Sequence, residues 1–213
     1  MNSRSLIAAL VAGITSCAIA PQATAAAIVA NTVLAEFYSS PVPPSAPSAP
    51  YGGESPESSP VAVPVGNATD GNGSTFVSLY TGSYLTLGFS TPTGGLGSLP
   101  SDGSPEPDLF VSEVGAWGEE ADVSISWDFG DTFAYLGVAM AGTVTPFNFD
   151  GLTTFINAVR VVGLDNGGPS PGFDLAFVKG RENGTVVIPE PATMALFSLG
   201  LLGIAASARR RKS

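Results

Sequence analysis

An all-β fold, an antiparallel β-sandwich of the jelly-roll kind, is predicted by three features of the 213-residue sequence. Short segments alternate apolar and polar side chains, Gly- and Pro-rich breakers separate them, and no long stretch outside the termini repeats with a helical period. Composition agrees. The 26 glycines and 18 prolines accompany a charged fraction of only 12%, about half the usual quarter. Such a chain suits many strands joined by turns and is a poor recipe for a helical bundle.

In chain order, residues 28–38 form a first apolar stretch and a candidate strand. Residues 39–64 (SSPVPPSAPSAPYGGESPESSPVAVP) are rich in Pro, Ser and Ala and predict a linker or a long extended loop. The β pattern sets in from residue 75. Within Tyr84–Phe89, Leu85, Leu87 and Phe89 share a face. Residues 123–129 (VSISWDF) place Val123, Ile125, Trp127 and Phe129 inward and Ser124, Ser126 and Asp128 outward. Phe173, Leu175 and Phe177 repeat the alternation, and segments 108–114, 132–140, 155–162 and 185–188 add further strands. Turn signals stand between them at 92–95 (PTGG), 101–103 (SDG) and 165–168 (DNGG). No repeat of about 20–50 residues is visible, which argues against a solenoid or propeller.

Several chemistries are disfavoured by composition alone. The chain has no histidine, so the commonest general base and the commonest metal ligand are both missing. The single cysteine, Cys17, lies in the N-terminal apolar stretch, leaving the body without a disulfide or thiolate site. The net charge of −10 understates the acidity of that body. Arg209, Arg210, Arg211 and Lys212 are four of the eight basic residues and Arg4 is a fifth, so only Arg160, Lys179 and Arg181 remain between the ends. With so little to neutralise phosphates, nucleic acid is not an expected partner.

The two ends read as targeting segments. MNSR, an apolar run over 6–14 and the small residues of PQATAAA describe a secretory signal peptide over 1–25. Signal peptidase is expected to cut after Ala25, with Ala23 and Ala25 as the small side chains it reads. Two alternatives stand beside this: an N-terminal anchor helix, for which the run is short, and lipidation of Cys17 through Ile14-Thr15-Ser16-Cys17. At the other end, Pro189-Glu190-Pro191 precedes an uncharged stretch, 192–208, and then Arg209, Arg210, Arg211 and Lys212. That stretch is at the short end of the roughly 17–25 residues that cross a bilayer. The basic cluster is expected to stay cytoplasmic, which leaves the body outside.

This order, Pro-Glu-Pro, apolar helix and Arg-rich end, resembles the PEP-CTERM sorting signal of Gram-negative bacteria. The resemblance implies handling by exosortase, a transpeptidase-like membrane protease that acts near the tripeptide and removes the helix. It implies a transient single-pass membrane form, then a cell-surface or extracellular one; a plain single-pass anchor is the alternative. The prolines fit the scheme physically, because they stop the helix extending upstream and leave an extended segment at the membrane surface. A second resemblance spans about residues 30–179 and rests on GSYLTLGFS, SPEPDLFVSEVG, EADVSISWDFGDTFAYLG and AVRVVGLDNGGPSPGFDLAFV. These segments are similar in order to a surface module common in PEP-CTERM proteins, many of which look like galactose-binding-type jelly rolls. Two departures stand out: the turn after the third strand reads Asp128-Phe129-Gly130-Asp131, and Ala176 stands where the closing motif has a second Asp.

The expected domains are therefore 1–25, a sandwich over 26–182 and a sorting signal over 183–213. Within the sandwich, Asp108, Glu113, Asp165 and Asp174, with Asn166, are candidate oxygen ligands for Ca²⁺, which takes about six to eight oxygens. The alternative is acidic loops facing solvent, and no contiguous EF-hand pattern is present. Trp117, in a Gly-flanked polar loop, is the candidate sugar platform, with Tyr80 and Tyr84 behind it; Trp127 reads as core. A glycosidase pair drawn from Glu119, Glu120 and Asp122 needs a separation of about 5–9.5 Å that sequence neighbours do not establish, and an enzyme is not expected. Three functions follow. The preferred one is a surface or matrix protein sorted by exosortase and associated with exopolysaccharide or biofilm. A calcium-assisted carbohydrate-binding module is the alternative, and a secreted hydrolase is third.

Overall fold

The computed structural model describes residues 28–43, 46–54, 57–90, 95–115, 118–166 and 171–181. The expected signal peptide with Cys17, Ala23 and Ala25, the candidate platform Trp117, the expected strand 185–188 and the expected sorting signal from Pro189 to Lys212 lie outside them.

Thirteen strands occur among the described residues. They are β1 (Ala30–Phe37), β2 (Tyr51–Glu54), β3 (Glu57–Ala62), β4 (Thr75–Leu79), β5 (Tyr84–Phe89), β6 (Leu99–Pro100), β7 (Leu109–Glu113), β8 (Glu120–Ser126), β9 (Ala134–Met140), β10 (Val144–Phe147), β11 (Phe155–Ile156), β12 (Ala158–Gly163) and β13 (Phe173–Gly180). One 3₁₀ turn, Val65–Ala68, leads towards β4. A five-stranded sheet runs β1-β5-β12-β8-β9, and a six-stranded sheet runs β10-β7-β13-β4-β2-β3. A two-stranded ribbon, β11-β6, completes the set. Every pairing is antiparallel. The expected antiparallel sandwich is the fold observed.

Register explains why the sheets stack. Val161 stands opposite both Leu85 and Val123, and Val159 opposite Leu87 and Ile125, so six branched side chains of the five-stranded sheet share one face. All six are fully buried. The six-stranded sheet answers with Val77, Leu79, Leu109, Val111, Phe173 and Leu175, which belong to the same core. Burying each such side chain contributes about 1.5–3 kcal/mol, which makes this interface the main source of stability.

Four sequence expectations are corrected. First, the expected linker 39–64 contains the β2–β3 hairpin, which extends the six-stranded sheet. Tyr51 is fully buried and its hydroxyl donates to the Pro171 carbonyl at 2.5 Å. Gly52 lies against the Phe76 carbonyl with no room for a Cβ, so Tyr-Gly-Gly docks closely where a bulkier sequence would not. Second, β8 ends at Ser126, and Trp127 and Phe129 are 39% and 50% exposed rather than inward. The Ser126 hydroxyl accepts from the Asp128 and Gly130 amides, closing a bend in which Phe129 takes a φ of 59°. Past that bend, alternation no longer maps onto the faces of the sheet.

Third, Phe177 turns outward. The β13 register shifts between Leu175 and Phe177, so one residue opposes none. Parity flips, Val178 takes the core position, and the Lys179 ammonium sits 3.9 Å from the Phe177 ring centroid. Fourth, the strand expected over 155–162 is split at Asn157. Its side chain accepts from the Phe129 amide at 2.7 Å and donates to the Trp127 carbonyl at 2.8 Å, so the residues before it pair with β6 instead.

Candidate functional site

Antiparallel pairing brings several strand ends together at one end of the sandwich. Phe173 at the start of β13 faces Leu79 at the end of β4, and Leu175 faces Glu113 at the end of β7. In the other sheet, Ala121 near the start of β8 faces Gly163 at the end of β12, and Glu120 faces Met140 at the end of β9. Four acidic residues ride on these ends: Glu113, Glu119, Asp165 and Asp174.

Oxygens of Glu113, Glu119 and Asp174 lie within 4.8 Å of one another, and all three residues are buried. Ser78 donates its hydroxyl to Asp174 Oδ1. The Gly142 amide, from the β9–β10 turn, donates to Glu113 Oε2, and the Glu113 and Glu119 carboxyls are hydrogen-bonded to each other. Asp165 is half-buried at the rim, where its Oδ2 accepts from the Glu120 amide at 2.9 Å. Beside the cluster, Tyr51 and Tyr80 stack at 5.7 Å with 12° between their planes. Tyr80 also donates to the Ser39 carbonyl at 2.6 Å, so it is a packing residue and not an open platform.

Like charges and burial dominate the electrostatics. Burial, and then the charges of Asp174, Glu113 and Asp165, push the Glu119 carboxyl up to about 9. Burial also raises Glu113, against the partial relief of the Gly142 amide. The Tyr51 phenol is raised as well, by burial and then by Tyr80, Asp174 and Glu119. All three basic residues among the described ones stand elsewhere. Arg160 and Lys179 lie over aromatic rings, and Arg181 pairs with Asp102 and Glu106.

Asp108 does not join this group. It precedes β7, five residues before Glu113, and at a strand rise of about 3.3 Å per residue the two stand about 17 Å apart. At its own end, Asp108 clusters with Asp102 and Asp150. Burial raises its carboxyl, although the Asp102 and Phe149 amides donate to it, both at 3.4 Å. Asp102 is lowered by hydrogen bonds from Ser104 and then by Arg181. The sequence thus grouped four acidic residues of which the fold gathers Glu113 and Asp174, sets Asp165 at the rim, and sends Asp108 to the far end. Glu119, considered only for glycosidase chemistry, is the residue missed as a partner of Glu113. It is buried, whereas Glu120 and Asp122 alternate onto the outward face of β8, so Glu119 stands apart from the other two.

That outward face carries a second feature absent from the sequence reading. Phe37 on β1 faces Tyr84 on β5, and Thr86, Arg160, Ser124 and Tyr135 form the adjoining row across the sheet. The Arg160 guanidinium sits over the rings of Tyr84 and Phe133, 4.5 and 3.9 Å from their centroids, and its Nε donates to Thr86 at 3.0 Å. Phe37 stacks on Tyr84 at 5.6 Å. Phe37 and Tyr135 remain 50% and 60% exposed.

A β-sandwich body followed by a C-terminal sorting signal defines an exported surface protein. The signal is the PEP-CTERM protein-sorting motif, whose family description matches residues 187–211. No curated protein matches the chain. A solved structure described as "CBM32 of AlyQ in complex with 4,5-unsaturated mannuronic acid" is similar over 54% of this chain and 83% of that one, at 15% identity and a TM-score of 0.39. A likeness that slight carries no argument about this chain's ligand.

Proposed function

We propose that this protein is an exosortase substrate, exported with a cleaved signal peptide and displayed as a non-catalytic surface component associated with exopolysaccharide. The sorting motif over 187–211 carries the reading. The test is the mass of the mature protein recovered from the exporting cell. A chain lacking 1–25 and the helix 192–208 is expected; a chain of full-length mass at the surface would refute exosortase processing. Co-purification with the cell's own exopolysaccharide tests the association, which is abandoned if the protein elutes free of polymer at physiological salt.

A second reading is favoured by the outward face of the five-stranded sheet. Exposed Phe37 and Tyr135 lie on the same face as a guanidinium that sits over two rings, an arrangement suited to a sugar ring on the aromatics and a hydroxyl or carboxylate on Arg160. Replacing Tyr135 by Ala is expected to weaken retention on the exopolysaccharide by about tenfold, as loss of one aromatic contact implies. Unchanged retention in a Phe37→Ala, Tyr135→Ala double variant would remove this face from the reading.

A further inference from the structure

Of the two described arginines, Arg181 pairs with two carboxylates and Arg160 with none, although the chain has 18 acidic residues to 8 basic ones. Arg160 is nevertheless fixed in place. Its Nε donates to Thr86, which is itself buried, and the rings of Tyr84 and Phe133 lie against the guanidinium. Its two terminal nitrogens make no hydrogen bond among the described residues. A planar fork held from one side, with its far edge unused, is the group that takes a carboxylate through two parallel bonds. The exposed rings on the same face are held as well. Phe37 stacks on Tyr84, and the Tyr135 hydroxyl is hydrogen-bonded to Asp122.

We infer, resting on the second reading of this face given above, that it binds an acidic polysaccharide in which isolated uronate residues are separated by neutral sugars, with Arg160 taking one carboxylate. Phe37 lies on β1 and Tyr135 on β9, the two margins of the sheet, and Arg160 lies on the central strand β12. Four strand spacings of about 4.8 Å separate the margins, about 19 Å in all, which is room for several sugar rings of one polymer. Charge then limits what those sugars are. Arg160 is the only basic residue on the five strands of this sheet, whereas Glu120 and Asp122 share its outward face. One carboxylate, planar and singly charged, matches one guanidinium. A second, on an adjoining sugar, would meet Asp122 and Glu120 with no cation to offset it. Neutral sugars stacked on Phe37 and Tyr135 avoid that repulsion.

The experiment measures binding of the mature protein, recovered from the cell surface, to the exporting cell's own exopolysaccharide. The polymer is used as isolated and again after chemical reduction of its carboxyl groups to hydroxyls. Reduction is expected to weaken binding at least about tenfold, as loss of a charge-assisted two-bond contact implies. Arg160→Gln should weaken binding of the untreated polymer to the level of the reduced one, and should leave binding of the reduced polymer unchanged. If that variant does not fold, the two polymers compared on the parent protein still decide. Polygalacturonate, charged on every sugar, is expected to bind less tightly than the untreated polymer. Binding undiminished by reduction would overturn the acidic ligand and leave the aromatic reading standing, whereas failure of the parent to bind either polymer would overturn both. Polygalacturonate binding as tightly as the untreated polymer would overturn the isolated charge.

Discussion

At Asp128 a single side chain holds the bend that ends β8. Its carboxylate accepts from the Ser126 hydroxyl at 2.7 Å, the Thr132 amide at 2.9 Å and the Thr132 hydroxyl at 2.6 Å. These bonds, those of Thr132 foremost, hold the carboxyl at about 2. Because the folded value lies below the unfolded value of about 3.9, the stabilisation is present above the unfolded value and is lost as pH falls through the folded one. Acid titration of the parent and of Asp128→Asn should therefore diverge between about pH 4 and pH 2, with the parent losing more stability. Parallel curves would show that the bend does not depend on this charge. Gly163 offers a steric counterpart. A Cβ there would overlap the Leu79 carbonyl, and Gly163→Ala is expected to cost about 1–3 kcal/mol of unfolding free energy in urea, as overpacking does.

Among the elements, those with uninterrupted alternation were legible: β5 coincides with its expected bounds, and β1, β7 and β9 begin or end within two residues of theirs. The unread strands share a physical reason. In β2, Gly52 and Gly53 supply no apolar signal, and the value of Gly52 lies in its close approach to β4. In β10, four residues including Pro146 are too few to alternate convincingly. Phe177 and Trp127 were misread for a different reason. A bulge and a bend change which parity faces inward, and neither leaves a mark in the hydrophobic pattern. The β2–β3 hairpin is testable through its anchor. Tyr51→Phe removes the bond to Pro171 and leaves a buried carbonyl unsatisfied, so it should cost about 1–3 kcal/mol. A change within error would mean that the hairpin adds little to the sheet's stability.

On the scale of the molecule, neighbours in space are distant in sequence. β12 lies between β5 and β8, and β13 between β7 and β4, so neither sheet closes until the last third of the chain is in place. Folding is expected to take milliseconds to seconds, as for other all-β chains of non-local pairing. Stopped-flow refolding of the mature protein checks this, and a microsecond phase carrying most of the signal would contradict it. The same topology explains what the sequence hid about the acidic site. Targeting signals are read along the chain, so the ends were legible. The union of Glu113 with Glu119 and Asp174 depends on sheet register, as does the separation of Glu113 from Asp108 on one strand, and no spacing rule reports either.

The margins of the six-stranded sheet, β3 and β10, each contain a proline, Pro60 and Pro146. A ring nitrogen has no hydrogen to offer, so each border strand presents an interrupted row of donors to any chain that would add alongside. Between copies of this protein, growth through the borders of that sheet is thereby disfavoured.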